Sequence, residues 1–447
     1  DVDSQPVMDA PYTVYRMDSE DYQLRLQPRT FTESLGQIPG VLLQKTGHGM
    51  TSPYLRGVTS QRVLLLADGV RVNNSMLREG PNQYWNLLDS FFFNETEVLM
   101  GPAGMQYGSD AIGGVVLAKS SLPARGTGEG FEWQQGVAGV RISSAEHSWS
   151  EYIQGEMALN NLWSLKLGVS KQDFGELVSG DHQHNPNTDY EQYGVNARLV
   201  RWFSEDERLI IGLDWFDQDD VNRVHRTTQH VDFNGTSSKG STSDKYRFYD
   251  HERGALFTRY ELRNGSTFID EADITLSWQY TGEDYHRIRT DGRESRRHTA
   301  VDTLGMKLRL QSDTSIGTFT YGADWYHDEV TSNGVNYSAS GDPTYLIQGQ
   351  VGDGSTYDLF GVYAHHQLPV GDRIDIHTGA RYTYAALFAD SVNFDGESDS
   401  LGGHWDALTL SLRVLGRILD DDLLVAFAGV SQGFRAPNLS DATRDDE

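Results

Sequence analysis

Hydrophobic and polar residues alternate with a period of two through most of the chain after residue 130. In the segment 272–280, the Ala, Ile, Leu, Trp and Tyr side chains fall on one face and the Asp, Thr, Ser and Gln side chains on the other. This alternation predicts β-strands that have one apolar and one polar face. Thirteen such segments are predicted, each long enough for a tilted membrane strand, near 131–142, 147–160, 162–172, 189–203, 207–219, 246–264, 267–285, 298–312, 315–329, 355–369, 372–389, 405–417 and 422–434.

The links between these segments alternate in length. Links after even-numbered segments are short, and, apart from the first, links after odd-numbered segments are long: 173–188, 220–245, 286–297, 330–354 and 390–404. A soluble β-sandwich would show no such asymmetry, whereas outer-membrane barrels have short periplasmic turns and long outer loops. We therefore predict a mainly β protein with a transmembrane antiparallel β-barrel. Aromatic residues at segment ends fit its interfacial girdle: Trp215, Phe216, Trp325, Tyr326 and Tyr384.

The first 120 residues have a different pattern, typical of a small α+β domain. Thr30 and Glu33 have capping-box spacing, and Pro39 follows, which predicts a short helix over 31–38. Asp68 and Gly69 separate two apolar runs and predict a hairpin turn. We expect one domain over 1–125 and barrel strands over 126–447.

Four motifs in this domain resemble the plug of TonB-dependent outer-membrane receptors: TESLGQIPGV (32–41), SPYLRGV (52–58), RVLLLADGVRVNN (62–74) and ETEVLMGPAGMQYGSDAIGGVV (95–116). The resemblance implies a plug in the lumen of a 22-stranded barrel, energised by TonB and its inner-membrane complex. The structural motif residues of the plug are then Arg56, Gly57, Asp68, Gly69, Gly101, Pro102, Gly108, Gly113 and Gly114. The segment GFRAPNLSD (433–441) resembles the start of the family's seventh outer loop, with Arg435, Pro437 and Asn438.

Two features depart from the family pattern. The family usually has a basic residue before the Gly-Pro pair, which together with the arginine of the LRG motif contacts acidic residues of the barrel wall, but this chain has Met100 there. We therefore expect a plug-to-barrel contact that is weaker or built differently. Thirteen strands are an odd number, and a closed single-chain barrel needs an even one, so we expect about nine further strands from a missing or separate segment.

The composition of the chain argues against several classes of function. The 447 residues include 64 acidic and 37 basic side chains, for a formal charge of −27, which argues against a nucleic-acid partner. Cysteine is absent, so no disulfide scaffold, thiolate metal site or cysteine nucleophile is available. No apolar run reaches 18 residues and no signal segment opens the chain, so we expect a signal peptide to have been removed earlier.

Two predicted outer loops are basic despite the acidic composition. One carries Arg287 and Arg289, with further arginines up to 297, and the other carries Arg223 and Arg226. Arginine clusters bind anions through charge-assisted hydrogen bonds, so these residues are candidate ligand contacts. The alternative is that they meet lipopolysaccharide phosphates or nearby loop carboxylates, such as Asp291.

The predicted apex loops of the plug supply further candidates. His48, with Met50 nearby, offers an axial haem ligand. The second loop offers polar and aromatic contacts: Arg78, Asn82, Gln83, Tyr84 and Trp85. Possible metal clusters are His182 and His184 with Asp181, Asn187 and Asp189, and the set Asp217, Asp219 and Asp220, but neither has a recognised ligand spacing, so any bound metal stays unknown.

These observations predict a TonB-dependent transporter in the bacterial outer membrane that takes up an iron chelate, either a ferric siderophore or haem. Cobalamin, another metal complex or a glycan are the alternative ligands. A passive porin conflicts with the plug motifs. An enzyme conflicts with the lack of a catalytic motif in the sequence, and no cofactor is predicted. The TonB-coupling peptide is not identifiable in DVDSQPVMDAPYTVYRM (1–17).

Overall fold

The computed structural model describes residues 10–18, 21–81, 83–178, 184–224, 227, 243–265, 268–419 and 423–444. It contains two small sheets, formed by residues 13–119, which we call the plug, and one large antiparallel sheet. The plug strands are β1 Thr13–Asp18, β2 Val41–Gly47, β3 Met50–Leu55, β4 Val58–Thr59, β5 Val63–Ala67, β6 Val70–Arg71, β7 Glu95–Met100 and β8 Gly114–Lys119. They are ordered β1-β7-β8-β5-β6 in one sheet and β2-β3-β4 in the other.

The helices are short. They are α1 Phe31–Ser34, α2 Gly104–Tyr107 and α3 Leu439–Thr443, with 3-10 turns at Leu35–Gln37, Ser60–Arg62 and Tyr84–Asn86 and a π-helical turn at Asp21–Leu26.

The predicted local features of the plug are confirmed except for one hydrogen bond. Helix α1 and the following 3-10 turn cover most of the predicted 31–38, and Asp68 and Gly69 have φ angles of +47° and +78° between β5 and β6. The Thr30 side chain, however, makes no capping hydrogen bond. Instead the backbone nitrogen of Arg29, one residue before the N-cap, donates to Glu33 Oε2 at 2.8 Å, so the predicted capping box is not formed.

The large sheet confirms the predicted strand number. Thirteen described strands follow one another in chain order as antiparallel neighbours, and a short extra strand, β18, pairs with β17. The strands are β9 Glu132–Ser143, β10 Ser148–Ala158, β11 Trp163–Phe174, β12 Tyr190–Trp202, β13 Glu207–Asn222, β14 Asp244–Leu262, β15 Glu271–Arg289, β16 Glu294–Thr314, β17 Gly317–Tyr337, β18 Pro343–Tyr345, β19 Asp353–Val370, β20 Ile374–Phe394, β21 Glu397–Arg417 and β22 Val425–Ser431.

The predicted long loops at 286–297 and 390–404 are wrong. Strands β15 and β16 continue to a turn at 290–293, and β20 and β21 continue to a two-residue turn at 395–396. Asp395 and Gly396 both have positive φ angles, +52° and +92°, which suits a tight hairpin between twisted strands. The links at 175–189 and 338–352 are long, and we call their side of the sheet the long-link end.

The two faces of the large sheet have opposite character. On β15, Ile274, Leu276 and Trp278 are 39%, 54% and 39% exposed, whereas the neighbouring Thr275 and Gln279 are 7% and 4% exposed. The polar face is therefore covered and the apolar face is bare, the reverse of a soluble protein. A bare apolar face of this size fits a sheet that is surrounded by lipid.

Among the described residues, no helix combines the length and the apolar character needed to cross a membrane.

The plug has its own core on the polar side of the large sheet. Phe31, Leu35, Trp85, Val98 and Val116 are buried together there. Close backbone packing around this core depends on two glycines of the predicted motif. A Cβ atom on Gly113 would lie 2.3 Å from the Val58 side chain, and one on Gly114 would lie 2.4 Å from the Leu99 carbonyl oxygen, so neither position has room for a side chain.

Candidate ligand-binding site

A group of arginine and tyrosine side chains lies on the covered face of the large sheet, towards its long-link end. Tyr249 of β14 and Tyr285 of β15 are cross-strand partners, with ring centroids 4.9 Å apart. Four guanidinium groups surround the two rings. We call the set the cation–aromatic cluster; its members are Arg78, Arg223, Arg247, Tyr249, Tyr285 and Arg297.

The guanidinium carbons of Arg78 and Arg223 lie 5.8 and 6.0 Å from the centroid of the Tyr249 ring. Those of Arg247 and Arg297 lie 5.5 and 5.9 Å from the centroid of the Tyr285 ring. These distances are within the range of cation–π attraction. Arg78 belongs to the plug and the other three to the barrel portion, so the cluster joins both parts of the molecule.

One buried carboxylate borders the cluster. Glu283 accepts a hydrogen bond from His251 Nε2 at 3.0 Å and two more from the side-chain amides of Gln83 and Gln350. Burial works against the charge of Arg78, but the neighbouring Tyr249, Tyr84 and Glu283 side chains raise the pKa of Arg78, so it stays cationic. The four arginines outnumber the two buried carboxylates described nearby, Glu283 and Asp244, and leave a positive site that suits an anion.

The structure brings together four of the predicted ligand contacts. Arg78 and Arg223 are in the cluster, Gln83 binds Glu283, and the Tyr84 ring meets the His251 ring edge-on at 6.4 Å. Trp85 does not join them, because its side chain is 1% exposed in the plug core.

The other predicted basic residues have different surroundings. Arg287 is in strand β15, not in a loop, and donates to Asp244 at 2.9 Å. Arg289 is the last residue of the same strand. Asn82, Asp181, His182 and Arg226 lie outside the described residues.

His48 is not an open apex residue, which corrects the expectation from the sequence. Its side chain is 3% exposed, its ring meets those of Phe174 and Tyr190 edge-on, and Nδ1 lies 3.0 Å from the Thr188 carbonyl oxygen. Burial lowers the pKa of His48 to about 4, so the imidazole is neutral. Met50 is fully buried in the same region.

The predicted metal clusters gain no support from the structure. Among the residues that the structure describes, no three His, Asp or Glu side chains are grouped so that they could hold a metal ion. His184 lies 3.6 Å from Glu176 and stacks on the His147 ring, with centroids 5.8 Å apart.

The sequence reasoning missed Arg247, Tyr249, His251 and Glu283. A signal was available, because Arg247, Tyr249 and His251 alternate along β14 and face Arg287, Tyr285 and Glu283 of β15 in register. Charged and aromatic residues at every second position mark the covered face of this strand.

Comparison with known proteins identifies the two parts of this molecule. Residues 6–115 match the family model described as TonB-dependent Receptor Plug Domain, and residues 170–445 match the one described as TonB dependent receptor-like, beta-barrel. The chain belongs to the TonB-dependent receptor family.

Curated relatives of this TonB-dependent receptor chain include the iron-regulated outer membrane virulence protein of Vibrio cholerae, 25% identical over 99% of this chain and 60% of the relative. The hemin receptor of Yersinia pestis is 23% identical over 93% of this chain and 56% of the relative. The vitamin B12 transporter BtuB of Vibrio vulnificus is 35% identical over 93% of this chain and 59% of the relative. The chain thus spans about three fifths of the length of these relatives.

Solved structures agree on the fold of the receptor chain. The copper transporter OprC superimposes with a TM-score of 0.79 at 14% identity, over 97% of this chain and 66% of that chain. The Serratia marcescens hemophore receptor HasR superimposes with a TM-score of 0.74 at 16% identity, over 98% and 66%.

The plug of this receptor is tied to the large sheet by a buried arginine that the sequence analysis did not single out. Arg198 of β12 is fully buried and its Nη2 atom lies 2.5 Å from Asp68 Oδ2 and 2.9 Å from Asp214. Arg198 holds the pKa of Asp68 below its ordinary value, although burial opposes this. By contrast, Arg56 is exposed and lies over Gly101, and Met100 is buried within the plug core.

Other residues of the family motifs have structural roles. Gly108 has a φ angle of +84°, and a Cβ atom there would lie 2.7 Å from Arg381 of the large sheet. Positive φ angles are also found at Gly57 and Gly101, which is followed by Pro102.

The segment around Pro437 lies against the plug. Asn438 caps α3 and donates through Nδ2 to the Leu77 carbonyl oxygen at 2.8 Å, while Arg435 pairs with Asp441.

Proposed function

We propose that this chain is part of a TonB-coupled receptor that takes up an anionic iron chelate, haem or a ferric siderophore, across the bacterial outer membrane. The observation that carries the proposal is the cation–aromatic cluster, in which guanidinium groups from the plug and the barrel converge on two tyrosine rings. The bare apolar face of the large sheet supports the membrane location, and the long-link end would face outside. TonB, with its inner-membrane complex, and outer-leaflet lipopolysaccharide are the expected partners.

The cluster suits capture of a flat or aromatic anion. Guanidinium groups bind carboxylates through two parallel hydrogen bonds, and the rings of Tyr249 and Tyr285 offer apolar faces for stacking. Haem has both features, since it has a flat ring and two carboxylates.

The position of Arg78 suggests how capture reaches the plug. Arg78 lies in the plug, beside Gln83, which binds the buried Glu283 of the barrel portion. A bound carboxylate would attract the Arg78 guanidinium and compete with Glu283 for its positive charge. Ligand binding would thereby alter contacts that hold the plug to the large sheet, before TonB acts on the plug.

The printed names of the relatives favour iron, since they include an iron-regulated protein and hemin receptors. Cobalamin is the second candidate, because the BtuB relative of Vibrio vulnificus is 35% identical. The two ligands differ in chemistry, since cobalamin carries amides where haem carries carboxylates. Four arginines at one site therefore favour the iron chelate.

A binding experiment on the full receptor tests this proposal. Replacing Arg223 and Arg247 with glutamine removes two charges from the cluster, and each desolvated contact to an anion contributes about 1.5 to 3 kcal/mol. We expect the dissociation constant of haemin, measured by isothermal titration, to increase at least tenfold. The control Arg293→Gln changes a charge that is exposed and paired with Asp291 at 2.7 Å, and it should have little effect.

The ligand class is tested by growth of a deletion strain, complemented with the receptor, on single iron sources. Growth on haemin or one ferric siderophore that depends on the receptor would support the proposal. Unchanged haemin and siderophore binding in the double variant, with receptor-dependent uptake of cobalamin, would overturn it.

A further inference from the structure

A cavity of about 490 Å³ lies between the plug and the large sheet, near the short-turn ends of strands β13 to β15. Arg208 and Glu271, which help to line it, are at or next to the first residues of β13 and β15, and Arg263 directly follows β14. Between Tyr249 and Arg259 on β14 there are ten residue steps, about 33 Å along an extended strand. The cavity is therefore separate from the cation–aromatic cluster.

The cavity is lined by more basic than acidic side chains, although the chain as a whole is acidic. Its basic residues are Lys119, Arg208, Arg259, Arg263, Lys307 and Arg309, against four acidic ones, Asp68, Glu261, Glu271 and Asp273. One of the four, Asp68, is also bound by Arg198 from outside the lining. Positive charge is thus in excess at this point of the plug surface.

Lys307 differs from the other cations of the cavity. Arg309 binds Glu271 at 3.0 Å and Asp273 at 2.9 Å, and Arg208 binds Glu261 at 2.6 Å. Within the described part of the chain, the Lys307 side chain makes no hydrogen bond and no ion pair, although the carboxylates of Asp324 and Asp273 are close enough to attract it. An ammonium group that is removed from water without a direct hydrogen bond or ion pair is costly to desolvate, so it gains from binding an anion.

Lys307 also stands where two cavities meet. A smaller cavity of about 220 Å³ shares Tyr107, Lys307 and Arg309 with the first one. One wall of the larger cavity belongs to the plug hairpin, where the Asp68 carbonyl oxygen accepts a hydrogen bond from Arg259 at 2.8 Å. The space around Lys307, where the two cavities meet, therefore has the plug on one side and strands of the large sheet on the other.

We propose that Lys307 and the adjoining Arg309 form a second anion site, which receives the carboxylate groups of the ligand after they leave the cation–aromatic cluster. The site would let an anion pass between the plug and strands β14 to β16 without crossing the acidic remainder of the molecule. This inference rests on the proposed uptake of an anionic ligand, but the charge of the cavity can be tested without any ligand.

The first test measures that charge in the full receptor. Thr275 lines the cavity and is 7% exposed, and the chain has no cysteine, so Thr275→Cys gives a single thiol. We expect a sulfonate-bearing methanethiosulfonate to react faster with this thiol than an ammonium-bearing one, relative to their rates with a free thiol. Adding Lys307→Gln should shift the two rates in opposite directions by about two- to threefold each.

The control Lys171→Gln removes a half-exposed cation that is paired with Glu191 at 3.5 Å, outside the cavity. It should leave both rates unchanged. If Lys307→Gln changes neither reaction rate, the inference is wrong, whatever the ligand proves to be.

The second test separates passage from capture, with haemin as the probe. Lys307→Gln should leave the dissociation constant of haemin unchanged and lower its TonB-dependent uptake rate severalfold, and Lys307→Glu should lower the uptake rate further. Normal uptake in both variants would overturn the inference. If the parent receptor takes up neither haemin nor a ferric siderophore, the proposed function fails, and the thiol rates still decide whether the cavity favours anions.

Discussion

Arg198 of the large sheet binds Asp68 of the plug at 2.5 Å and Asp214 of its own sheet at 2.9 Å. The resemblance to the family implied the opposite arrangement, with basic residues on the plug and acidic residues on the wall. At this contact the plug supplies the carboxylate and the wall supplies the guanidinium, whereas Arg29 of the plug binds Glu146, in the link between β9 and β10, at 2.8 Å in the implied direction. Ser120 completes the contact, since its hydroxyl donates to Asp68 at 2.9 Å and accepts from Arg198 at 3.0 Å.

Arg198→Met should loosen the plug more than Asp68→Asn does. The first change leaves two buried carboxylates without their cation, whereas the second leaves Arg198 paired with Asp214. Removing one partner from a buried ion pair costs about 3 to 5 kcal/mol. We expect faster hydrogen exchange in β5 and β6, followed by mass spectrometry, and little change in the control Asp291→Asn, which affects an exposed pair. Equal exchange in Arg198→Met and the parent would contradict this role.

The plug should close the lumen of the assembled receptor. The plug sheets lie on the covered face of the large sheet, and buried contacts such as Ser75 N to Asp328 Oδ2 at 2.7 Å join the two. In a planar bilayer the full receptor should show little conductance, and removal of residues 1–122 should open a large pore. Equal conductance before and after the deletion would exclude a closing role for the plug.

The two ends of the large sheet should lie on opposite sides of the outer membrane. Ser340 is exposed in the link at 338–352, and Glu205 is exposed in the turn between β12 and β13. In whole cells, an impermeant maleimide should label Ser340→Cys and not Glu205→Cys. Labelling should reach both positions once the outer membrane is permeabilised. The reverse pattern in intact cells would invert the proposed orientation.

Acid should weaken the packing around His48. Burial depresses the pKa of the folded state to about 4 from an ordinary 6.5, so the stabilising effect of the neutral ring is complete above pH 6.5 and is lost as the pH falls towards 4. The difference is worth about 3 kcal/mol. Thermal unfolding between pH 7 and 4 should therefore depend less on pH in His48→Gln than in the parent.

His404→Gln is the matched control for this measurement, because His404 is exposed on β21. It should keep the pH dependence of the parent. If His48→Gln and His404→Gln show the same dependence, the burial of His48 has no effect on acid stability.

The alternating pattern of the sequence was enough to predict the thirteen strands of the large sheet, because a period of two follows directly from the geometry of a strand. It also predicted which face is polar. The hairpin at Asp68 and Gly69 was predictable for a similar local reason, since both residues tolerate positive φ angles. The plug motifs, with their glycines at fixed spacings, pointed to the family.

Only the tertiary structure decided which side chains come together in the candidate sites. Polar residues between 286 and 297 indicated a loop, but cross-strand hydrogen bonds extend β15 and β16 through them, and this extension places Arg297 beside Tyr285. His48 had the sequence context of an exposed apex loop and became buried because aromatic rings of β11 and β12 pack over it. Strand periodicity is local, so the sequence alone determines it. The partners of Arg198, Glu283 and Lys307 are set by the position of the plug against the sheet, which depends on contacts between residues far apart in the chain.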